Sequence, residues 1–423
     1  MRDRWRPTRV LLFAAVTVAV LLYAAVTLHR PDLVVLAAPL AAGLVVNLSG
    51  AAPGALRARL RSSASTALEH QQLELTLRTD VPAAADLVVS TVRSGQWLDD
   101  LDHPSRASLP TERARVEHSR AARWGRTDAG VADLRVSAAQ GCLRRDVTVF
   151  GNTVTVLPFR ERFGAVDVLP HASGTIGAHR SRRPGSGSEL DTVRPFVAGD
   201  RLRRITWPVS LRTGTLHVAS TLSERDTTVL LALDSSVDVG PGTEPAPGGS
   251  LDIAVHAAAS IAEHYLRWGD RVGFVDHARA TRPIRPAAGR AHLDRIVDAL
   301  LDVRPEPSVV GSALVRTARR IAPRSTVMLF SPLIGAASPQ RAVEFATAGC
   351  TVLVIDTLGE LVPSVGASEW NDLAWRLMLL ERRGEIERLA ALGVPVVPWR
   401  GDGSLDQVLL ALSRAVSAPR LRT

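Results

Sequence analysis

Thr228-Val-Leu-Leu-Ala-Leu-Asp-Ser-Ser-Val-Asp238 decides the fold of the C-terminal half of the chain. Its first six residues form an apolar run with no polar alternation, which is how a strand covered on both faces reads. The run then gives way to oxygen-bearing side chains, Asp234, Ser236 and Asp238. Downstream, strand-like runs at Val272–Val275, Thr281–Ile284, Thr326–Phe330, Thr351–Ile355 and Val394–Val397 alternate with helical patterns. One helix opens at Ser250, carries Leu251, Val255, Ala258, Ala262 and Leu266 on one face, and stops at Gly269. Others are predicted at Leu293–Leu301, at Ser312–Ile321, and from the Ser338-Pro339 start to Gly349. A longer one spans about Glu369 to Leu392 with an apolar stripe of Trp370, Leu373, Leu377, Leu380, Ile386 and Leu389, and a capping box, Ser404-Leu-Asp-Gln407, opens the last. The alternation predicts a mostly parallel sheet with helices on both faces over residues 227–423. Ligands of such sheets bind beyond the carboxyl ends of the strands.

Residues 62–170 read differently. Leu73-Glu-Leu-Thr-Leu77 alternates at period two, Ala85–Val92 supplies a second strand, and Val147–Phe150, Gly151-Asn152, Thr153–Val156 reads as a hairpin. Short strands between polar turns predict a small β-sandwich. His70, His103 and His118 are read as isolated residues rather than a site.

The first 61 residues read as a membrane anchor. Val10–Leu28 carries no charge and as a helix is about 28 Å long, the thickness of a bilayer's hydrocarbon core. Leu33–Leu48 follows after four residues, with Pro39 and Gly43 inside it. Two spans so closely joined form an antiparallel hairpin. Arg2, Arg4, Arg6 and Arg9 precede it and Arg57, Arg59 and Arg61 follow, while the connector holds Arg30 alone. The positive-inside rule then predicts a multi-pass protein of the inner (plasma) membrane with both flanks and the soluble domains in the cytoplasm. A signal peptide is the rival reading, but the run is long, no small-x-small cleavage site follows and a second span comes at once.

Composition narrows the function. The net charge is +9, every basic residue is arginine, and aromatics are 4% of the chain. The arginines are scattered and no nucleic-acid motif accompanies them, so the charge points to anionic lipid and not to nucleic acid. Cys142 and Cys350 are too few and too distant for a disulfide framework or a metal cluster. No G-x-S-x-G, P-loop or H-E-x-x-H occurs.

One segment, residues 171–226, is more specific. Gly187-Ser-Glu-Leu-Asp-Thr-Val-Arg-Pro-Phe-Val-Ala-Gly-Asp-Arg-Leu-Arg-Arg-Ile-Thr-Trp207, followed by Arg212, gathers opposite charges around one indole. Glu189, Arg194, Phe196, Gly199, Asp200, Arg203, Ile205, Trp207 and Arg212 resemble the signature of the "domain of unknown function 58" family. Asp234-Ser-Ser-Val-Asp238 is similar to the Asp-x-Ser-x-Ser metal-ion-dependent adhesion site of von Willebrand A-like domains. The resemblance implies a von Willebrand A-like, Rossmann-like α/β domain, an N-terminal transmembrane hairpin, and partnership with a MoxR-type AAA+ ATPase. It carries Glu189, Arg194, Gly199, Asp200, Arg203, Trp207 and Arg212 over as signature positions. These either lock the segment onto the α/β domain through ion pairs and an indole–guanidinium stack, or form a surface for a partner or anionic ligand.

The adhesion-site resemblance implies Mg²⁺, held by Asp234, Ser236 and Asp238. Asp238 stands where the pattern has serine, and Pro332 stands where a second aspartate is expected. Asp234 is therefore either a remnant ligand or a cap on the strand-to-loop turn. The expected function is a non-enzymatic, membrane-anchored adaptor for the ATPase in protein assembly or envelope processes. The competing readings are an envelope-assembly protein without an ATPase, and an enzyme acting on an anionic substrate at the arginine cluster.

Overall fold

Period-two alternation builds the first sheets: Leu73, Leu75 and Leu77 are buried while Gln72, Glu74 and Arg78 face out. The computed structural model describes residues 5–49, 54–82, 85–102, 105–109, 112–161, 180–197, 202, 205–224, 228–240, 248–276, 283–306, 325–359, 361, 368–401 and 403–417. The chain divides into two units, Met1–Pro158 and Phe159–Thr423.

The first unit opens on a two-residue strand, β1 (Arg6–Pro7), followed by helices α1 (Arg9–Thr27) and α2 (Asp32–Ser49). Then come β2 (Arg57–Ser62), β3 (Thr66–Leu68), β4 (Gln72–Asp80), β5 (Ala85–Ser94), β6 (Leu98–Asp100) and β7 (Ser105–Ser108). β8 (Ala114–Ala121), β9 (Gly125–Asp128), β10 (Gly130–Ala138), β11 (Leu143–Phe150) and β12 (Thr153–Leu157) complete the unit. The strands form three sheets, ordered β1-β11-β10-β5-β7, β2-β4-β8-β6 and β3-β12-β9. One core joins all three, with Leu60, Leu75, Val92, Leu134, Val136 and Val156 among its members.

α1 is long and apolar enough to cross a membrane; α2 is a shorter apolar helix. The helices pack on each other, and their two buried side chains among those described are the small Ala25 and Ala37. α1 starts without a linker. β1 pairs antiparallel with β11, and Thr8, between β1 and α1, donates its N–H to Cys142 O (2.9 Å) and its hydroxyl to Gly141 O (2.7 Å). The sandwich therefore takes one strand from before the helical pair and another, β2, from after it.

The Gly151-Asn152 dipeptide does not close a hairpin. β11 and β12 lie in different sheets, β12 pairing with β3 and β9. The β10–β11 ladder continues into β9–β12, so two antiparallel strands turn the same corner together. At the corner Gly151 N–H donates to Gly130 O and Ala129 N–H to Asn152 O, both 2.8 Å. A Cβ on Gly151 would sit 2.8 Å from that of Ala129, and Gly130 has φ +141°. The glycines thus serve a bend between layers.

Two polar features of this unit escape the sequence reading. The Arg123 guanidinium lies 4.8 Å from the ring centres of both Trp97 and Trp124. His118 is not isolated, since Asp102 accepts its backbone N–H (2.7 Å) and faces its Nδ1 (3.0 Å). These hydrogen bonds hold the Asp102 carboxyl below its ordinary range, the backbone one most strongly.

The second unit begins with a ribbon of β13 (Arg180–Pro195) and β14 (His217–Glu224), joined across the short α3 (Trp207–Thr213). The α/β part follows: β15 (Thr228–Leu233), α4 (Ser250–Arg267), β16 (Arg271–Asp276), β17 (Ile284–Ala287), α5 (Arg290–Leu301), β18 (Thr326–Ser331), α6 (Ala337–Thr347), β19 (Thr351–Asp356), α7 (Glu369–Ala391), β20 (Val396–Pro398) and α8 (Ser404–Ser417). The six-stranded sheet has the order β17-β16-β15-β18-β19-β20, all parallel except β17. Leu230, Ala232, Val327, Leu329, Val352 and Val354 face α6 and the C-terminal half of α7, where Phe345 and Leu389 fill the layer. α4 covers the other face and contacts α5 and α8. The predicted helix at Ser312–Ile321 and Thr281 of the predicted Thr281–Ile284 strand lie outside the described residues.

One expectation is corrected within α7. Its predicted stripe is two stripes. Ile386 and Leu389 meet the sheet, whereas Trp370, Leu373, Leu377 and Leu380 are exposed.

Burial holds the His264 ring on α4 down at about 4, below its ordinary 6.5, with Arg267 adding to the effect. The unfolded chain therefore takes up a proton that the folded chain refuses. Stability is fully present above about pH 6.5 and is lost as pH falls toward about 4, by on the order of 2 kcal/mol. Thermal melts across that window should show a shallower pH dependence for His264→Gln than for the unaltered chain.

Candidate functional site

Four neighbouring strands end in an oxygen-bearing side chain. β16 ends in Asp276, β15 leads into Asp234, β18 ends in Ser331 and β19 in Asp356. The ladders bring these ends level, pairing Leu233 with both Asp276 and Phe330, and Ser331 with Asp356. All four are buried, and the order of the sheet reverses between β15 and β18.

Asp234, only 2% exposed, is the centre of this edge. Its Oδ1 accepts the backbone N–H (3.0 Å) and hydroxyl (2.5 Å) of Ser236. Its Oδ2 accepts the hydroxyls of Ser331 (2.8 Å) and of Ser338 in the first turn of α6. Ser338 thus serves the carboxylate and not, as its position suggests, a cap of its own helix. Beside it, the Ser235 hydroxyl donates to both oxygens of Asp276 (2.7 and 2.8 Å). At the next position along the edge, Arg382 of α7 pairs with Asp356 and donates its Nε–H to Pro332 O (2.8 Å).

Asp238 turns elsewhere. Its Oδ1 accepts Leu251 N–H (3.0 Å) and the Ser250 hydroxyl (3.3 Å) at the start of α4. A carboxylate there meets unsatisfied N–H groups and the positive end of the helix dipole. Of the three residues predicted to share a metal, Asp234 and Ser236 come together, while Asp238 caps α4.

The signature segment has a fixed inner side and an open outer side. Ser210 of α3 donates its hydroxyl to Thr206 O (2.9 Å) and accepts His217 N–H (2.8 Å), and Ile205 bridges Val218. Trp207 and Leu211, one turn apart on α3, are 60% and 81% exposed. Among the described residues no guanidinium stacks on Trp207. Arg194 donates to Pro195 O (3.2 Å), and Arg212 is exposed in the last turn of α3. Glu189 lies in β13. Its side chain, together with Gly199, Asp200 and Arg203, lies outside the described residues.

Residues 192–382 match the family model described as "Protein of unknown function DUF58". This region of the chain is similar to the DUF58 family. The DUF58 match takes in Arg194, Trp207, Arg212, Asp234, Ser236 and Asp238, excludes Glu189, and ends at Arg382. An uncharacterized protein of Mycobacterium tuberculosis is 30% identical over 190 residues, 43% of this chain and 58% of that protein. An uncharacterized protein of Mycobacterium bovis matches to the same extent. The chain thus matches little more than half the length of these curated relatives. Among solved structures, a protein of unknown function from Porphyromonas gingivalis is similar at 16% identity and a TM-score of 0.20, over 29% of this chain and 54% of that one. A non-cellulosomal cohesin from Archaeoglobus fulgidus is similar at 6% identity and a TM-score of 0.18, over 24% and 91%. Likenesses this slight carry no argument about the DUF58-like region.

The residues at the sheet edge are a poor match for Mg²⁺. The ion favours an octahedral shell of hard oxygens. Around Asp234 stand one carboxylate and three serine hydroxyls that hydrogen-bond to it, a single negative charge and fewer oxygens than such a shell needs. Among the described residues no three His, Cys, Asp or Glu side chains gather as a metal site. The arrangement instead ties β15, β18 and α6 together through one buried anion.

Asp234→Ala would leave these hydroxyls buried without their acceptor and should lower stability by about 2–4 kcal/mol in denaturant unfolding. Adding millimolar Mg²⁺ should leave the unfolding midpoint of the unaltered chain unchanged; a rise that disappears in Asp234→Ala would show a working metal site.

Proposed function

We propose that this chain is a membrane-anchored, non-enzymatic adaptor whose von Willebrand A-like α/β domain recruits a MoxR-type AAA+ ATPase through the outer face of α3. The observation that carries the reading is the exposure of Trp207 and Leu211 in the middle of the family signature. Exposed aromatic and leucine side chains one turn apart on a helical face are an unfavourable use of surface unless another protein covers them. Arg212 beside them adds a charged group at the rim. The sheet-edge serines support the non-enzymatic side of the reading, since each described hydroxyl around Asp234 acts as an anchor for a carboxylate.

Anchoring rests on the helical pair. β1 and β2 both belong to the same sandwich, so a chain that leaves it through α1 returns to it after α2. A pair of spans with both ends on one side is a hairpin, and the arginines at residues 2–9 and 57–61 assign that side to the cytoplasm. A soluble ATPase would meet the DUF58-like region there.

The full-length chain in detergent should capture the ATPase from solution in a nucleotide-dependent manner, and Trp207→Ala or Leu211→Ala should weaken capture at least tenfold while leaving thermal unfolding unchanged. Equal capture by folded variants removes α3 as the contact. Turnover of an anionic substrate by the purified chain would favour an enzyme instead.

A further inference from the structure

Helix α7 carries two apolar stripes on opposite faces. At about 100° per residue, Trp375, Arg382, Ile386 and Leu389 fall on one side. That side meets the α/β domain: Leu389 is buried, Ile386 packs against the sheet, and Arg382 holds Asp356 and Pro332. Trp370, Leu373, Leu377 and Leu380 lie about 180° away. Trp370 is 78% exposed and Leu380 64%, with Leu373 and Leu377 exposed between them.

The spacing of the exposed stripe is three, four, three. These are the a and d positions of a heptad, the pattern that lets one helix seat its side chains in the gaps of another. Arg376 and Glu381 then fall at g and e, five residues apart and flanking the seam. In a parallel pair the g residue of one helix faces the e residue of the other in the next heptad. Two copies of α7 would therefore place each Arg376 opposite Glu381 of the partner subunit, twice by symmetry. Arg376 also pairs with Asp372 on its own helix (2.8 Å), which leaves further guanidinium N–H groups for a second carboxylate. The seam ends where the next a and d positions are Gly384 and Glu387. Beyond it, Arg388 is tied to Glu385 (2.6 Å) and Arg383 to Glu387 (3.5 Å) within the helix.

We propose that α7 is a self-association element, in which the Trp370–Leu380 stripes of two copies pack in parallel along a two-fold axis. The seam is about 15 Å long, shorter than most stable coiled coils, so the dimer is reversible and forms at micromolar concentration. It uses a face distinct from the Trp207–Leu211 face of α3.

Sedimentation velocity of the full-length chain in detergent tests this. A concentration-dependent monomer–dimer equilibrium is expected, and Leu377→Asp should raise its dissociation constant at least tenfold without changing the thermal unfolding of this exposed position. Arg376→Glu and Glu381→Arg should each weaken the dimer, and the two together should restore it. Because Cys142 and Cys350 are buried, L377C should cross-link two copies under mild oxidation. A chain that stays monomeric at every concentration overturns the proposal. So does a dimer that Leu377→Asp leaves intact, or a monomer that uses this stripe to hold the ATPase.

Discussion

A buried carboxylate has to find its hydrogen-bond donors within the protein, and Asp234 finds them on three separate pieces of chain. Ser236 lies two residues on, Ser331 ends the neighbouring strand, and Ser338 opens the helix after it. Removing such a group from water is unfavourable unless its lone pairs are matched. The match therefore dictates how the loop after β15, the end of β18 and the start of α6 are placed. Asp276 with Ser235, and Asp356 with Arg382, extend the same logic to the flanking strands. The edge where an open parallel sheet normally receives a ligand is thereby braced from within.

The first unit meets its constraint by backbone geometry. Its core is shared by three sheets, so two strands have to pass from one layer to another without abandoning their pairing. Glycine at 130 and at 151 permits the close approach at that bend. Around the core, polar groups are matched locally, as where the Arg115–Glu117 pair is buried and Arg115 donates to both Ser90 O (2.8 Å) and its hydroxyl (2.7 Å).

Much of the architecture is legible in the residues because burial leaves a periodic trace. Unbroken apolar runs mark the central strands of the parallel sheet, and alternation marks β4. What is not legible is any relation between distant segments. Gly151-Asn152 has the local chemistry of a tight turn, and only its contacts with Ala129 and Gly130 show that it is a corner. The α7 stripe looks like one face because both faces are apolar at helical spacing; which is covered depends on where the sheet lies. The adhesion-site resemblance finds Asp234 and Ser236 but not Ser331 or Ser338. Yet a trace of the edge exists: Leu233-Asp234, Val275-Asp276, Phe330-Ser331 and Ile355-Asp356 each end an apolar run in a side-chain oxygen. Asp238 illustrates the opposite difficulty, since one carboxylate two residues from a candidate ligand serves equally well as a helix cap.

The attachment of the apolar helices has a mechanical consequence. β1 belongs to one layer of the sandwich and β2 to another, so the strand that runs into α1 and the first strand after α2 lie in different sheets. Helices hung from a single flexible stalk would let the body swivel beneath them. With only Thr8 between β1 and α1, the first helix has no such stalk, and a tilt of α1 is carried through β1 into the sheet that holds β11. A mechanical strain on that helix is thus delivered directly into the β-rich body.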